Sequence, residues 1–300
     1  MGWLMGEVRL SHEEATALLE RGEAAAEARD WAVAAACYEQ FLDAFPDTEF
    51  STELWFDVAL YHKFLRNWDK AYELGKQAAA RAGDGAGEPA YWNLGIAATM
   101  VRDWATARRA WTRFGITLAP GEGEIRDGFG IACVRLDPDG EAEVVWVQRV
   151  CPTRGRVLSV PFTDRRFGEI VVHDGAPNGE RRVGEHAYPV FDELALWQPS
   201  ETATWRAQVT APDEADMRAL SEAFTDRDLA MEPVDSITFH CKCCSEGSIE
   251  TDRTTVAGTR DVLLAAPDEP SARAVLDAWA DGGAGRAWHA IHAKADSGGE

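Results

Sequence analysis

A six-residue motif occurs three times in the first part of the chain. The motif reads Arg-(Asp or Asn)-Trp-x-x-Ala and begins at residues 29, 66 and 102, so its copies are 37 and 36 residues apart. A repeat of this length is typical of stacked helical hairpins, in which each hairpin buries its apolar face against the next one. The spacing therefore predicts an array of three helical hairpins.

Small and aromatic residues recur at fixed offsets around the motif, where the two helices of a hairpin would cross. The first copy has Leu18, Gly22, Ala25, Ala34, Tyr38, Phe41 and Pro46. The second has Trp55, Ala59, Ala71 and Ala78, and the third has Tyr91, Leu94, Gly95, Ala98, Ala107, Trp111 and Phe114. This pattern resembles the tetratricopeptide (TPR) family over residues 11–120. The resemblance implies a TPR-like helical domain over residues 1–124 that binds a protein or peptide.

The TPR resemblance also implies which side chains would contact a partner. In this family the first helix of each hairpin lines an inner groove. Beside Glu23, the groove positions here are apolar or aromatic: Leu19, Phe56, Leu60, Phe64, Trp92, Ile96 and Met100. This set favours docking of an apolar or amphipathic peptide. Alternatively, the C-terminal half of the same chain covers this face, because an exposed apolar patch of that size promotes aggregation.

A second, β-rich domain is expected over residues 125–200, where alternating runs and Gly/Pro turns replace the helical pattern. The predicted strands are 129–136, 143–150, 156–161, 169–173 and 188–193, and they would form a small β-sheet or barrel. The polar segment 173–179 is predicted to be a tight loop. Its His173 and Asp174 could bind a metal or act as acid and base, although such loops are mostly structural.

A fainter duplication lies near the C-terminus, where residues 210–220 align without gaps with residues 265–275. Each copy follows a strand-like run and opens a helix with Pro-Asp-Glu, which suits a helix N-terminus. Strands are expected at 205–210, 236–241, 261–265 and 286–292. The resulting β-α-β-β-α-β order is similar to a ferredoxin-like sandwich over residues 201–300. The whole chain is therefore predicted to be an α+β multidomain protein.

One motif carries metal-binding chemistry, and it spans residues 240–244. Its thiols and imidazole suit Zn²⁺ or Cu(I), so the candidate zinc ligands are His240, Cys241, Cys243 and Cys244, with Cys151 or His173 as a remote ligand. The second cysteine pair of ordinary zinc ribbons is missing. The cysteines could instead be buried small residues or redox-sensitive thiols, so no cofactor is certain.

The strongly acidic composition restricts the classes of partner. The chain has 51 acidic and 30 basic residues, for a net charge of −21. Such a charge disfavours binding to nucleic acid or to an anionic membrane, and it favours a basic partner or solubility alone. We find no long apolar run and no secretory or myristoylation pattern, so a cytoplasmic protein with reduced cysteines is expected.

These features favour a cytoplasmic, non-enzymatic TPR adaptor that binds another protein or a peptide. The sequence contains no Gly-rich phosphate loop, no Gly-x-Ser-x-Gly elbow and no His-Glu-x-x-His pair. Two alternatives stay open. One is an acidic immunity or inhibitor protein that masks a basic toxin. The other is a zinc-dependent sensor or enzyme centred on residues 240–244.

Overall fold

The chain divides into two compact units, residues 1–127 and 128–300. The structure, a computed structural model, describes residues 10–83, 85–140, 142–234, 245–250 and 258–294. Within these ranges no helix is both long enough and apolar enough to cross a membrane. The finer division at residues 125, 200 and 201 stays a prediction.

Paired helices make up the described part of the first unit. They are α1 (His12–Glu27), α2 (Trp31–Ala44), α3 (Ser51–Phe64), α4 (Trp68–Arg81), α5 (Pro89–Met100) and α6 (Trp104–Phe114). Each helix packs on the next one, and α3 also contacts α5. The predicted array of three helical hairpins is therefore confirmed.

The repeated motif forms the turn inside each hairpin. Its arginine adopts left-handed backbone geometry, with φ of 57° at Arg29 and Arg66 and 62° at Arg102. The following amide donates to a carbonyl five residues back, as from Asp30 to Ala25 at 2.8 Å, which closes the first helix. The Asp or Asn side chain then caps the second helix by accepting a backbone N–H three residues on. One motif thus ends a helix and starts the next.

Small residues allow the helices of a hairpin to approach closely. A Cβ atom at Gly22 would lie 2.2 Å from Cε1 of Tyr38, and one at Gly95 would lie 2.6 Å from Cε2 of Trp111. The motif alanines at 34, 71 and 107 are all buried. The recurring Gly and Ala positions are therefore packing requirements of the array.

The larger sheet of the second unit closes on itself. Its strands are β1 (Ile131–Leu136), β2 (Glu143–Cys151), β3 (Arg154–Val157), β4 (Ile170–Val183), β5 (His186–Gln198) and β8 (Ser248–Glu250), in the order β3-β2-β1-β5-β4-β8. Because β3 also pairs with β4, strands β1 to β5 form a ring, in which only the β1–β5 pair is parallel. An apolar core, including Val134, Val147 and Val171, fills this sheet.

The prediction of a tight loop at residues 173–179 is wrong, because this segment lies inside β4. The pairing of β4 with β5 shifts register repeatedly between Ile170 and Glu180, and such bulges accommodate Gly and Pro within a strand. Gly179 has a φ of 109°, and a Cβ atom there would lie 2.9 Å from the carbonyl oxygen of Glu246. Gly179 therefore allows the backbone of β4 to approach that of Glu246 closely, a contact that the predicted loop did not anticipate.

The smaller sheet contains β6 (Ala203–Ala211), β7 (Ala230–Pro233), β9 (Gly258–Ala266) and β10 (Ala287–Ala293), in the antiparallel order β10-β6-β9-β7. Helices α7 (Glu214–Thr225) and α8 (Glu269–Asp281) follow β6 and β9 and begin at the capping residues Asp213 and Asp268. Their predicted buried positions are confirmed: Met217, Leu220, Phe224, Val275, Leu276 and Trp279. The strand predicted at 236–241 lies outside the described residues. The short β7, at four residues too brief to show alternation, was missed.

Candidate functional site: the first-helix face of the array

The predicted groove residues lie on the first helices of the three hairpins, and we call the surface they form the first-helix face. Leu19 is on α1, Phe56, Leu60 and Phe64 are on α3, and Trp92, Ile96 and Met100 are on α5. Within α3 and α5 they are spaced by four residues, which places each set in a row along one side of its helix. Lys63 joins the two helices by donating from Nζ to Oδ1 of Asn93 at 3.1 Å.

The exposure of these residues varies along the face. Phe64 is 38% exposed, whereas Ile96 has no exposed surface. The remaining five are half-buried: Leu19, Phe56, Leu60, Trp92 and Met100. The structure thus makes Ile96 a packing residue, and it leaves Phe64, at the end of the α3 row, as the most exposed residue of the set.

Aromatic contacts hold the side chains of the face in place. The ring of Phe64 lies 5.1 Å from that of Trp31, which in turn stacks on Tyr61 at 5.3 Å. Trp92 lies 4.9 Å from Trp111, in an edge-to-face arrangement. Because these rings are fixed by their neighbours, little side-chain entropy is lost when a ligand packs on them.

A carboxylate that the sequence analysis missed lies beside the α3 row. Asp57 is half-buried, and within the described ranges it forms neither a hydrogen bond nor an ion pair. Burial raises the pKa of Asp57, and the negative charge of Glu53, one helical turn earlier, raises it further. The sequence contained one indication of this site: Asp57 is the only charged residue between Leu54 and Tyr61.

The second helices carry a charged surface instead. A shallow pocket of about 330 Å³ is lined by Glu39, Asp69, Lys70, Glu73 and Leu74. Lys70 Nζ lies 2.7 Å from Oε2 of Glu39, which also contacts His62. Burial alone would raise the pKa of Glu39, but hydrogen bonds from Lys70 and His62 lower it overall. Glu39 and Lys70 therefore neutralise each other, and Glu73 of the same pocket pairs with Lys76 at 2.8 Å.

The predicted zinc site cannot be assembled from the described residues. His240, Cys241, Cys243 and Cys244 lie outside them. The remote candidate Cys151 is buried at the end of β2, where its Sγ accepts a hydrogen bond from Nε of Arg154 at 3.2 Å. Among the residues that the structure does describe, no three His, Cys, Asp or Glu side chains are grouped to hold a metal ion.

His173 is placed in the interior of the second unit. Its side chain is fully buried, its Nδ1 donates to the carbonyl of Asp174 at 2.7 Å, and its ring stacks on Phe191 at 4.7 Å. Burial lowers the pKa of His173 to about 4, so the imidazole is neutral at pH 7. The structure therefore makes His173 a core residue.

Arg135 forms a buried polar network in the larger sheet. It is fully buried on β1, pairs with Asp192 on β5, and donates to the hydroxyl and the carbonyl of Ser245, each at 2.9 Å. Its Nη2 also donates to the carbonyl of Asn178 at 3.0 Å. Arg181 donates to the Ser245 carbonyl as well, at 3.2 Å. Because these donors are occupied within the protein, the network is a structural support for residue 245.

Comparison with known proteins gives partial structural matches. No protein-family model and no curated protein matches the sequence. Similar solved structures include MamA at 21% identity (35% of this chain, TM-score 0.30) and the first TPR of Spaghetti (RPAP3) bound to an HSP90 peptide at 20% (36%, TM-score 0.30). The TPR2B domain of yeast Sti1 in complex with Hsp70 matches at 17% identity (34%, TM-score 0.29). The matches cover 54%, 81% and 78% of those chains, respectively, so this chain spans about half the length of MamA.

Proposed function

We propose that this protein is a TPR-like interaction adaptor whose first-helix face binds an apolar or amphipathic peptide segment of another protein. The observation that supports this most directly is the row Phe56, Leu60 and Phe64, which ends in a phenylalanine that is 38% exposed. A row of apolar side chains at intervals of four residues is the form of surface that accepts an amphipathic segment. Exposed apolar side chains that are contiguous commonly mark such a binding surface.

The contrast between the two faces of the array also supports the proposal. On the second helices, Lys70 pairs with Glu39 at 2.7 Å, and His62 of α3 contacts the same carboxylate. On the first-helix face, aromatic and aliphatic side chains are held by rings behind them, as Trp31 holds Phe64. A rigid apolar surface gives affinity, because its burial is not offset by a large loss of side-chain freedom.

For the second unit, we propose a ferredoxin-like domain over residues 201–300 that supplies a further contact surface. The support is the antiparallel order β10-β6-β9-β7, in which α7 follows β6 and α8 follows β9. A strand–helix alternation of this kind supports a β-α-β-β-α-β fold.

The test uses 12-residue peptides selected from a phage-displayed library on the full chain. The double variant Phe56→Ala, Phe64→Ala should weaken binding of the selected peptides by about 100-fold, because it removes two aromatic anchors. The control is Val33→Ala with Phe50→Ala, which removes two exposed apolar side chains (40% and 62%) that lie off the first-helix face.

The proposal is supported if the selected peptides bind the control variant within twofold of wild type and bind the test variant far more weakly. If no peptide is enriched, or if both variants bind equally well, the first-helix face is not a peptide site. Thermal unfolding of both variants confirms that each one is folded.

A further inference from the structure

Two tyrosines link the first and second hairpins beside the α3 row. The ring of Tyr38, on α2, packs on Gly22 of α1, where a Cβ atom would lie 2.2 Å from it. The same ring lies 6.0 Å from that of Tyr61 on α3. Glu23 follows Gly22 in the chain, and Asp57 lies one helical turn before Tyr61. The two tyrosines are thus flanked by one carboxylate from α1 and one from α3.

The polar groups of this cluster have no partners in the part of the chain that the structure describes. Neither Glu23 nor Asp57 forms an ion pair or a hydrogen bond there. Tyr38 and Tyr61 are each only 7% exposed, yet neither hydroxyl forms a hydrogen bond with a described residue. Glu23 is exposed, Asp57 is half-buried, and neither tyrosine hydroxyl is fully enclosed, so these polar groups are accessible to a ligand.

The raised pKa values of the tyrosines indicate that the two carboxylates lie close enough to affect them. Burial raises the pKa of Tyr38, and the charges of Asp57 and Glu23 raise it further. Burial likewise raises the pKa of Tyr61, with a further contribution from Asp57. No positively charged side chain contributes to the pKa of Asp57. The carboxylates of Asp57 and Glu23 therefore place negative charge beside the two tyrosines, and within the described residues neither carboxylate is paired with a cation.

We infer that Asp57, Glu23, Tyr38 and Tyr61 form an acidic–tyrosine pocket that binds a Lys or Arg side chain of the docked peptide. This inference rests on the proposed function and specifies the chemistry of the partner. The carboxylates would accept charge-assisted hydrogen bonds from the cation, and tyrosine rings attract cations through their faces. Since Asp57 adjoins Phe56, the basic side chain would lie next to the apolar anchors of the same peptide.

The experiment repeats the phage selection on the full-length wild type and on Asp57→Asn. On the wild type, we expect selected peptides to carry Lys or Arg at one fixed distance from their apolar residues. On Asp57→Asn that enrichment should disappear. The matched control is Glu20→Gln, because Glu20 is an exposed acid on α1, one turn before Glu23.

A selected arginine peptide is then resynthesised with citrulline, which keeps the shape of arginine without its charge. This change should weaken binding to the wild type by about tenfold and binding to Asp57→Asn by less than twofold. It alters no residue of the protein, so it decides the question even if Asp57→Asn does not fold.

Three results would overturn the inference: no basic enrichment, equal enrichment on Asp57→Asn, or equal affinity for the citrulline peptide. If peptides are selected without a basic residue and still require Phe56 and Phe64, only the pocket is refuted. If no peptide is selected, the proposed function fails as well.

Discussion

One charged side chain of the helical array and one of the second unit (residues 128–300, here the β-rich unit) differ in their partners. In the β-rich unit, Arg135 is fully buried and its donors are occupied by Asp192, Ser245 and Asn178. In the array, Asp57 is half-buried and has no partner within the described ranges. A buried charge with a complete set of partners supports a fold, whereas an unpaired one destabilises it and suggests recognition. The difference separates a structural network from a candidate binding site.

Breaking the Arg135 network should produce the largest effect. Arg135→Met leaves Asp192 and the Ser245 carbonyl without their main donor, and we expect a loss of about 3–5 kcal/mol in the free energy of unfolding. The control is Arg206→Met. Arg206 and Asp261 form an ion pair whose side chains are 43% and 39% exposed, so we expect this variant to lose less than about 1 kcal/mol in the free energy of unfolding. Urea denaturation measures both variants, and equal losses would show that the network is not structural.

Glycines of the array provide the next test. Gly95→Ala would place a Cβ atom 2.6 Å from the buried ring of Trp111, so a loss of about 2–3 kcal/mol is expected. At Gly75 the nearest atom, Cδ1 of Leu94, is 3.5 Å away, so Gly75→Ala should stabilise α4 by about 0.5–1 kcal/mol. Opposite shifts of the thermal midpoint are predicted, and shifts of the same sign would contradict the packing described for the hairpins.

The buried histidine of the β-rich unit makes stability depend on pH. In the unfolded chain the pKa of His173 returns to its ordinary value of 6.5, whereas burial keeps the folded pKa at about 4. The unfolded state therefore binds more protons in this window, and stability falls by roughly 2 kcal/mol as the pH drops from 6.5 to 4. His173→Phe should reduce this slope in urea titrations at several pH values. An unchanged slope would mean that His173 is not held neutral.

The unpaired carboxylate should give the smallest effect, and one of opposite sign. Because burial raises its folded pKa, ionised Asp57 destabilises the protein above that pKa, and the penalty vanishes below the unfolded pKa. Asp57→Asn should therefore add about 0.5–1 kcal/mol at pH 7 and nothing near pH 3. A loss of stability at pH 7 would indicate that Asp57 has a structural partner, and the acidic–tyrosine pocket would then be wrong.

The sequence predicted the array because its signals are local. The motif residues Arg29, Asp30 and Trp31 end one helix, cap the next and begin it, so a short pattern determines the hairpin. In the β-rich unit the determining contacts are distant, as between Arg135 and Ser245, and alternation along one strand does not reveal them. The same reason explains the error at residues 173–179, where register shifts place Gly and Pro inside β4.

Part of the candidate site could also be predicted from the sequence. The TPR resemblance predicted the first-helix row, including Phe56 and Phe64, because those positions follow from the repeat. The resemblance did not single out Asp57, because its lack of a partner depends on which side chains of the other helices lie near it. Tyr38 was recognised as a packing position, but its hydroxyl and its approach to Asp57 are tertiary features.

Photo-crosslinking tests the central claim most directly. Phe64 and Val33 are about equally exposed (38% and 40%), but only Phe64 lies on the first-helix face. Benzoylphenylalanine in place of either residue reports which surface contacts a selected peptide. The account predicts a crosslinked product from position 64 and none from position 33. Crosslinking from position 33 alone, or equally from both, would contradict it.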